Sequence, residues 1–134
     1  SSSNLLPSKL MGQSNPPSNY LKFEVFIPVE FTDPQGNKKS VPWSELEDFC
    51  NSIMRQFGGL TESSRVSSPP LKGWWASKGI THIDHLTTIF SLVKLGDEDK
   101  AVRFFDHWKG ELETRLNQQF ILVTLHPLKV FGEL

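Results

Sequence analysis

The segment 81–85 (THIDH) holds the densest group of side chains that could carry chemistry. On a strand, His82 and Asp84 project to one face and His85 projects to the other. A histidine beside a carboxylate could share a divalent metal or form a general-base pair, so these three are the candidate catalytic residues. Two ligands on one face are too few for a metal, and the two other histidines lie on other elements. We therefore predict no metal site and favour a structural interpretation, in which these are polar residues near the start of a strand.

Two adjacent tryptophans, Trp74 and Trp75, are the most prominent aromatic feature. They alternate sides of a strand, so we expect one to pack under helices and the other to lie at a subunit contact. With Lys72 and Gly73 they are similar to the basic-Gly-aromatic signature of RNA-recognition domains. However, the first strand offers no second aromatic motif beyond Phe26, the hairpin has the wrong strand register, and the net charge is −1. We predict no nucleic-acid binding.

The single cysteine, Cys50, excludes an internal disulfide and a cysteine-built zinc site. It lies in the apolar stripe of a predicted helix, where a cysteine acts as a small hydrophobic residue. Gly58 and Gly59 follow that helix, whereas a phosphate-binding glycine loop must precede one. The sequence therefore predicts no cofactor.

A length of 134 residues fits one domain, and 14 basic against 15 acidic residues argue against a polybasic nucleic-acid or membrane binder. No apolar run approaches the ~18 to 20 residues that span a bilayer, so we predict no membrane contact. Residues 1–19 are rich in Ser, Pro and Asn, and we predict a disordered tail followed by a folded domain at 20–134. We expect a cytoplasmic protein. Removal of an upstream signal stays open because the chain begins with Ser and not Met.

Hydrophobic periodicity predicts six elements in the order strand, helix, strand, strand, helix, strand. Every odd position from Leu21 to Phe31 is apolar, which predicts a strand with one covered face. A helix with Pro42 at its first position and Ser40 as its cap should end at Gly58. The other predicted elements are a strand broken by a bulge or loop after Leu60 and resuming at 71–76, a strand at 80–93, a helix opening at 96–97, and a last strand at 120–125 that Pro127 interrupts.

With right-handed crossovers, this order predicts an α+β fold of the ferredoxin-like βαββαβ type. It has a four-stranded antiparallel sheet with both helices on one face. The strands at 21–31 and 80–93 are long and free of interruption, so we place them at the centre of the sheet. The strands that contain or adjoin prolines belong at the edges.

The combination of a GGLT helix exit at 58–61 with Gly73-x-Trp75 and Gly79 resembles a group of small uncharacterised bacterial α+β proteins with a GGLT…GxW…G pattern. The resemblance covers residues 21–131 in the order of elements and about a dozen positions in identity. It implies the ferredoxin-like fold. It implies no catalytic residue, because the group has no agreed activity.

The sheet face without helices suggests the function. Phe26 and Pro28 lie on it, and the strand at 80–93 is apolar on both faces, so this face needs a cover. A face-to-face homodimer is the simplest cover, and folding back of the 62–70 loop or the tail is another. We predict a non-catalytic binding or assembly module, a homodimer or bound to a protein partner, that uses Phe26, Trp74 and Trp75.

The alternative function is a small-molecule enzyme or ligand binder similar to dimeric α+β barrel monooxygenases. An apolar cavity would then hold an aromatic substrate or haem, with His82, Asp84, His85 or Trp75 lining it.

Overall fold

The computed structural model describes residues 16–63 and 71–132, and these form an α+β structure. In chain order the elements are β1 (Ser18–Pro28), β2 (Glu30–Thr32), β3 (Lys38–Ser40), α1 (Ser44–Phe57), β4 (Thr61–Glu62), β5 (Leu71–Ser77), β6 (Ile80–Lys94), a 3-10 turn (Leu95–Asp97), α2 (Glu98–Arg115) and β7 (Val123–Val130). The predicted disordered tail falls largely on residues 1–15, which lie outside the described residues. β1 itself begins at Ser18, three residues before the predicted strand.

The main sheet is antiparallel and has β1 and β6 at its centre, as predicted. β1 pairs with β6 on one side and with β7 on the other. β4 and β5 both pair with β6 on the side away from β1, because Ile89 pairs with both β1 and β4 and Leu86 pairs with both β1 and β5. The second edge strand is therefore broken into two, which confirms the predicted interruption. The sheet has five strands instead of the predicted four. The prediction that the loop at 62–70 folds over the sheet falls mainly on 64–70, outside the described residues.

Both helices pack on the face of the sheet that the odd positions of β1 form. The Phe105 ring of α2 stacks on Phe23 of β1 with 4.6 Å between ring centroids. Phe49 of α1 lies 6.2 Å from Phe105 and 5.3 Å from Trp108, so the helices share one aromatic layer. The burial of these apolar side chains is the main stabilising contribution to the fold.

A small hairpin, β2–β3, precedes α1 and was not predicted from the sequence. The Asp33 carboxylate accepts hydrogen bonds from the backbone N–H of Gln35 (3.0 Å) and Asn37 (2.8 Å), which fixes the turn. These bonds, that from Asn37 above all, hold the pKa of Asp33 below its ordinary value. Ser40 belongs to β3, so the prediction that it caps the helix was wrong. α1 begins at Ser44 instead.

The predicted last strand also needs correction. β7 runs from Val123 to Val130 and continues through Pro127, which pairs with Leu21. Because β7 is an edge strand, a proline in it need not remove a ladder hydrogen bond. Phe120 and Ile121, which were assigned to this strand, instead belong to the connection from α2.

Candidate functional site

The β5–β6 hairpin extends beyond the end of β1. The last β1 pair is Pro28 with Leu86, whereas β5 and β6 remain paired for six more positions, as far as Ser77 with Ile80. The connecting residues Lys78 and Gly79 both have positive φ angles, 53° and 78°. This is the pattern of a two-residue type I′ turn, whose twist matches that of the strands. The hairpin is therefore a two-stranded ribbon beyond the part of the sheet that β1 supports.

Neither hairpin tryptophan enters the core, so the expectation that one packs under the helices was wrong. Trp74 is 62% exposed and Trp75 is 45% exposed. The physical reason is the position of β5, which pairs with the part of β6 that β1 no longer flanks. Trp74 lies opposite Ile83 on one face of the ribbon, and Trp75 lies opposite His82 on the other.

Trp75 and His82 form the polar-aromatic centre of the ribbon's second face. Their rings are stacked, with centroids 5.8 Å apart and an interplanar angle of 18°. Gly73 keeps the neighbouring surface open, because a Cβ at this position would lie 3.1 Å from the Cδ1 atom of Leu86 and 3.8 Å from the Trp75 ring. The strand register places Gly73, Trp75, His82 and Asp84 on the same sheet face as Phe26 and Pro28.

The three predicted catalytic candidates do not form a catalytic group. His82 and Asp84 share a face, as predicted, but within the described residues neither side chain has a hydrogen bond or ion pair. His85 alternates to the other face of β6. Within residues 16–63 and 71–132, no three His, Cys, Asp or Glu side chains are placed to hold a metal ion.

The opposite wall of the site is the segment 117–122, which connects α2 to β7. Asn117 has a positive φ of 49° and donates a side-chain hydrogen bond to the Thr32 carbonyl at 2.9 Å. The backbone N–H of Ile121 donates to the Glu113 carboxylate at 2.9 Å. Phe26 N–H donates to the Leu122 carbonyl at 2.9 Å, which attaches the segment to β1. The segment is thus tied to both the sheet and the helix.

Lys109 links this wall to α2. Its ammonium group forms an ion pair with Glu113 and lies 4.2 Å from the centre of the Phe120 ring. The ion pair and the Ile121 hydrogen bond hold the pKa of Glu113 below its ordinary value. The sequence analysis missed this wall. The polar run at 117–119 directly after the helix, followed by Phe120, was the available signal.

A cleft of about 770 Å³ lies between the hairpin and this segment. Three of the four walls are apolar or aromatic, and His82 and Asp84 add polar groups. The volume falls in the ~300–1,000 Å³ range of small-molecule sites. The lining side chains include Phe26, Trp75, His82, Asp84, Leu86 and Phe120, and Trp74 also borders the cleft. The cleft therefore suits a flat apolar group better than a highly charged one.

A second cleft, of about 760 Å³, lies between the hairpin and the region around β2. His85, Glu30 and Lys38 line it, and His82 and Asp84 line both clefts. The predicted catalytic residues thus lie at the boundary of two open clefts and do not converge inside one.

The remainder of the helix-free face is mixed in character. Lys22 lies 4.4 Å from the centre of the Phe90 ring and 3.7 Å from the Glu24 carboxylate. Half-buried apolar side chains flank this pair, Leu92 and Leu128 among them. The face is therefore partly apolar, as predicted, with one ion pair near its centre.

Comparison with protein-family models, with curated proteins and with solved structures found no match. Among the described residues, neither helix combines the length and the apolar character that crossing a membrane requires.

Proposed function

We propose that this protein is a non-catalytic binding or assembly module that acts as a homodimer through its open sheet side, with the β5–β6 hairpin as the main contact. The observation that supports it best is the apolar character of the ribbon on both faces. Trp74 and Ile83 are exposed on one face, and Trp75 is exposed on the other. Exposed apolar side chains this close together are typical of interaction surfaces.

The proposal includes a ferredoxin-like topology. If β4 and β5 are counted as one broken edge strand, the sheet order is β4/β5, β6, β1, β7, with antiparallel neighbours. Both helices then lie between strands as crossovers on one face, and the other face stays available. Domains of this arrangement pack pairwise through the uncovered side of the sheet.

Light scattering of the purified chain at about 100 μM tests the proposal, because a weak homodimer of micromolar affinity is mostly associated at that concentration. We expect a dimer for the wild type and a shift to monomer for Ile83→Lys, which introduces a charge into the ribbon. Val102→Lys is the matched control. Val102 is 44% exposed on α2 and Ile83 is 46% exposed on β6, so both variants add the same charge at equal exposure. A monomeric wild type that also captures no protein partner would contradict the proposal.

A second candidate function is the binding of a flat, apolar small molecule in the 770 Å³ cleft. The stacked Trp75 and His82 rings favour it, because they present aromatic surface and a ring nitrogen to the same space. Haem and flavin are suitable probes, with absorption spectra and melting temperature as readouts. This function predicts a shifted absorption band that His82→Ala abolishes and His85→Ala leaves intact, because His85 faces the other cleft. An unchanged spectrum and melting temperature would exclude these ligands.

A further inference from the structure

The outer edge of β5 is an open sheet edge. Within the described residues, β5 pairs with β6 alone. Its sequence, LKGWWAS, contains no proline and no acidic residue, and its only charge is Lys72. Natural edge strands usually carry several charges, a proline or a bulge that prevents pairing with another chain. This edge has one such residue, near one end.

The direction of the backbone groups along this edge follows from one hydrogen bond. Val29 N–H donates to the His85 carbonyl at 2.9 Å, so the backbone groups of His85 point toward β1. His85 lies opposite Lys72 in the β5–β6 ladder, so this is a pair without mutual hydrogen bonds, and Lys72 points its N–H and C=O away from β6. By alternation, Trp74 and Ala76 do the same.

Only one two-fold symmetric register uses all three of these residues. When the symmetry axis passes beside Trp74, Trp74 pairs with its own copy and Lys72 pairs with Ala76 of the other chain, which gives six backbone hydrogen bonds. Centring the pair on Gly73 or on Trp75 leaves one outward residue of each chain unpaired and gives four. The hydrogen-bond pattern thus selects the Trp74 register.

The side chains agree with the same register. Gly73 then lies opposite Trp75 of the partner, so the larger residue meets the position without a side chain. Lys72 faces Ala76, and the two Lys72 residues lie about 14 Å apart along the strands, beyond the ~10 Å screening length. No like charges oppose each other. The two exposed Trp74 side chains become neighbours on one face.

We propose that two copies of this chain join by antiparallel pairing of their β5 edges, centred on Trp74, to form one continuous sheet. This inference rests on the proposed self-association and specifies its geometry. The occupant of the edge is a second copy because the strand is complementary to itself in hydrogen bonding, in charge and in side-chain size. The open face and its cleft stay accessible in this arrangement.

Disulfide trapping tests the register. In the proposed pair the Cα atoms at position 74 lie about 5.5 Å apart, within disulfide range, whereas those at position 75 lie about 8 Å apart, beyond it. The native Cys50 is buried and serves as the background in the wild type. We expect Trp74→Cys to form an intermolecular disulfide under mild oxidation, and Trp75→Cys to form little more than the wild type. Equal trapping at both positions would overturn the register.

A proline variant tests the edge itself. Ala76→Pro removes an outward N–H and leaves the β5–β6 hydrogen bonds in place, and Ala76→Val retains the N–H as a matched control. Two lost intermolecular bonds and the steric conflict should weaken the dimer roughly 100-fold for the proline variant, with little change for valine. Circular dichroism and melting temperature verify that both variants fold.

The outcomes separate this inference from the proposed function. A wild-type dimer that Ala76→Pro dissociates supports edge pairing. A dimer that persists in a folded Ala76→Pro variant overturns edge pairing and leaves self-association through another part of the sheet. A monomeric wild type overturns both, and pairing of the edge with a foreign strand only is then the remaining arrangement.

Discussion

Glu113 connects three parts of the candidate site through a single carboxylate. It forms an ion pair with Lys109 on its own helix and accepts a hydrogen bond from the backbone N–H of Ile121, a buried residue. Lys109 in turn contacts the Phe120 ring. The position of the 117–122 wall, and hence the width of the cleft, depends on these contacts.

Replacing Glu113 should destabilise the protein in a pH-dependent way. Glu113→Ala removes the acceptor of a buried N–H and should lower the free energy of unfolding by about 1–2 kcal/mol, whereas Glu113→Gln keeps an acceptor and should lose less. The pKa of Glu113 is lower in the folded state than in the unfolded chain. Its charged form therefore stabilises the fold above the ordinary carboxyl pKa, and this contribution is lost as pH falls through the lowered value.

Urea denaturation at neutral pH and at about pH 3 measures this effect. We expect the stability difference between the wild type and Glu113→Gln to be largest at neutral pH and to shrink in acid. A difference that is the same at both pH values would show that the charge on Glu113 contributes nothing to the wall.

Gly58 ends α1 in the left-handed conformation, with φ 84°. Gly58→Ala forces a side chain into this region and should cost about 1 kcal/mol. Gly59→Ala is the matched control, since a Cβ added at either position would meet no atom within 4 Å and only Gly58 has a positive φ. Thermal denaturation should show a lower melting temperature for the first variant only. Equal shifts would mean that backbone conformation is not the cause.

At the scale of elements, the hairpin turn is a place where the sequence is not optimal for its structure. Lys78 adopts φ 53°, a region that Asn tolerates better than Lys. Lys78→Asn creates the Asn-Gly pair typical of type I′ turns and should raise the free energy of unfolding by about 0.5 kcal/mol. The control, Lys72→Asn, lies in extended strand and should give no gain. Denaturant melts of the two variants compare them directly, and a loss at position 78 would contradict the turn type.

Sequence periodicity predicted the elements that have one buried face. The alternation along β1 and the apolar stripe of α2 have a direct geometric cause, since each is set by burial of one side. The Ser77–Ile80 hairpin was predicted because turn residues separate two strand-like runs.

Features that depend on the lengths of neighbouring strands were not predictable in this way. The exposure of Trp74 follows from β1 ending before β6 does, and no local pattern encodes that difference. The passage of β7 through Pro127 follows from its position at an edge, which only the assembled sheet defines. The wall at 117–122 depends on the contact between Glu113 and Ile121, eight residues apart across a turn. These three cases explain why the chemistry-bearing residues were found and the cleft was not.

At the scale of the whole molecule, one aromatic layer joins every large element. Phe105 stacks on Phe23 of β1 and packs against Phe49 and Phe57 of α1. The same core cluster contains residues from β6 and from the segment before β7. Helices and sheet should therefore unfold together, since neither can keep its buried face without the other.

Phe105→Ala tests this cooperativity. It leaves a cavity in the centre of the layer and should lower the free energy of unfolding by about 3–5 kcal/mol. Helix content, followed by far-UV circular dichroism, and the packing of Trp108 on Phe49, followed by tryptophan fluorescence, should be lost at the same urea concentration in both proteins. Phe131→Ala is the control, because Phe131 is 86% exposed and its removal should change stability by no more than about 0.5 kcal/mol. If the two signals separated in the wild type, the helices would be docked on a sheet that holds together without them, and the hairpin would then be supported by the strands alone.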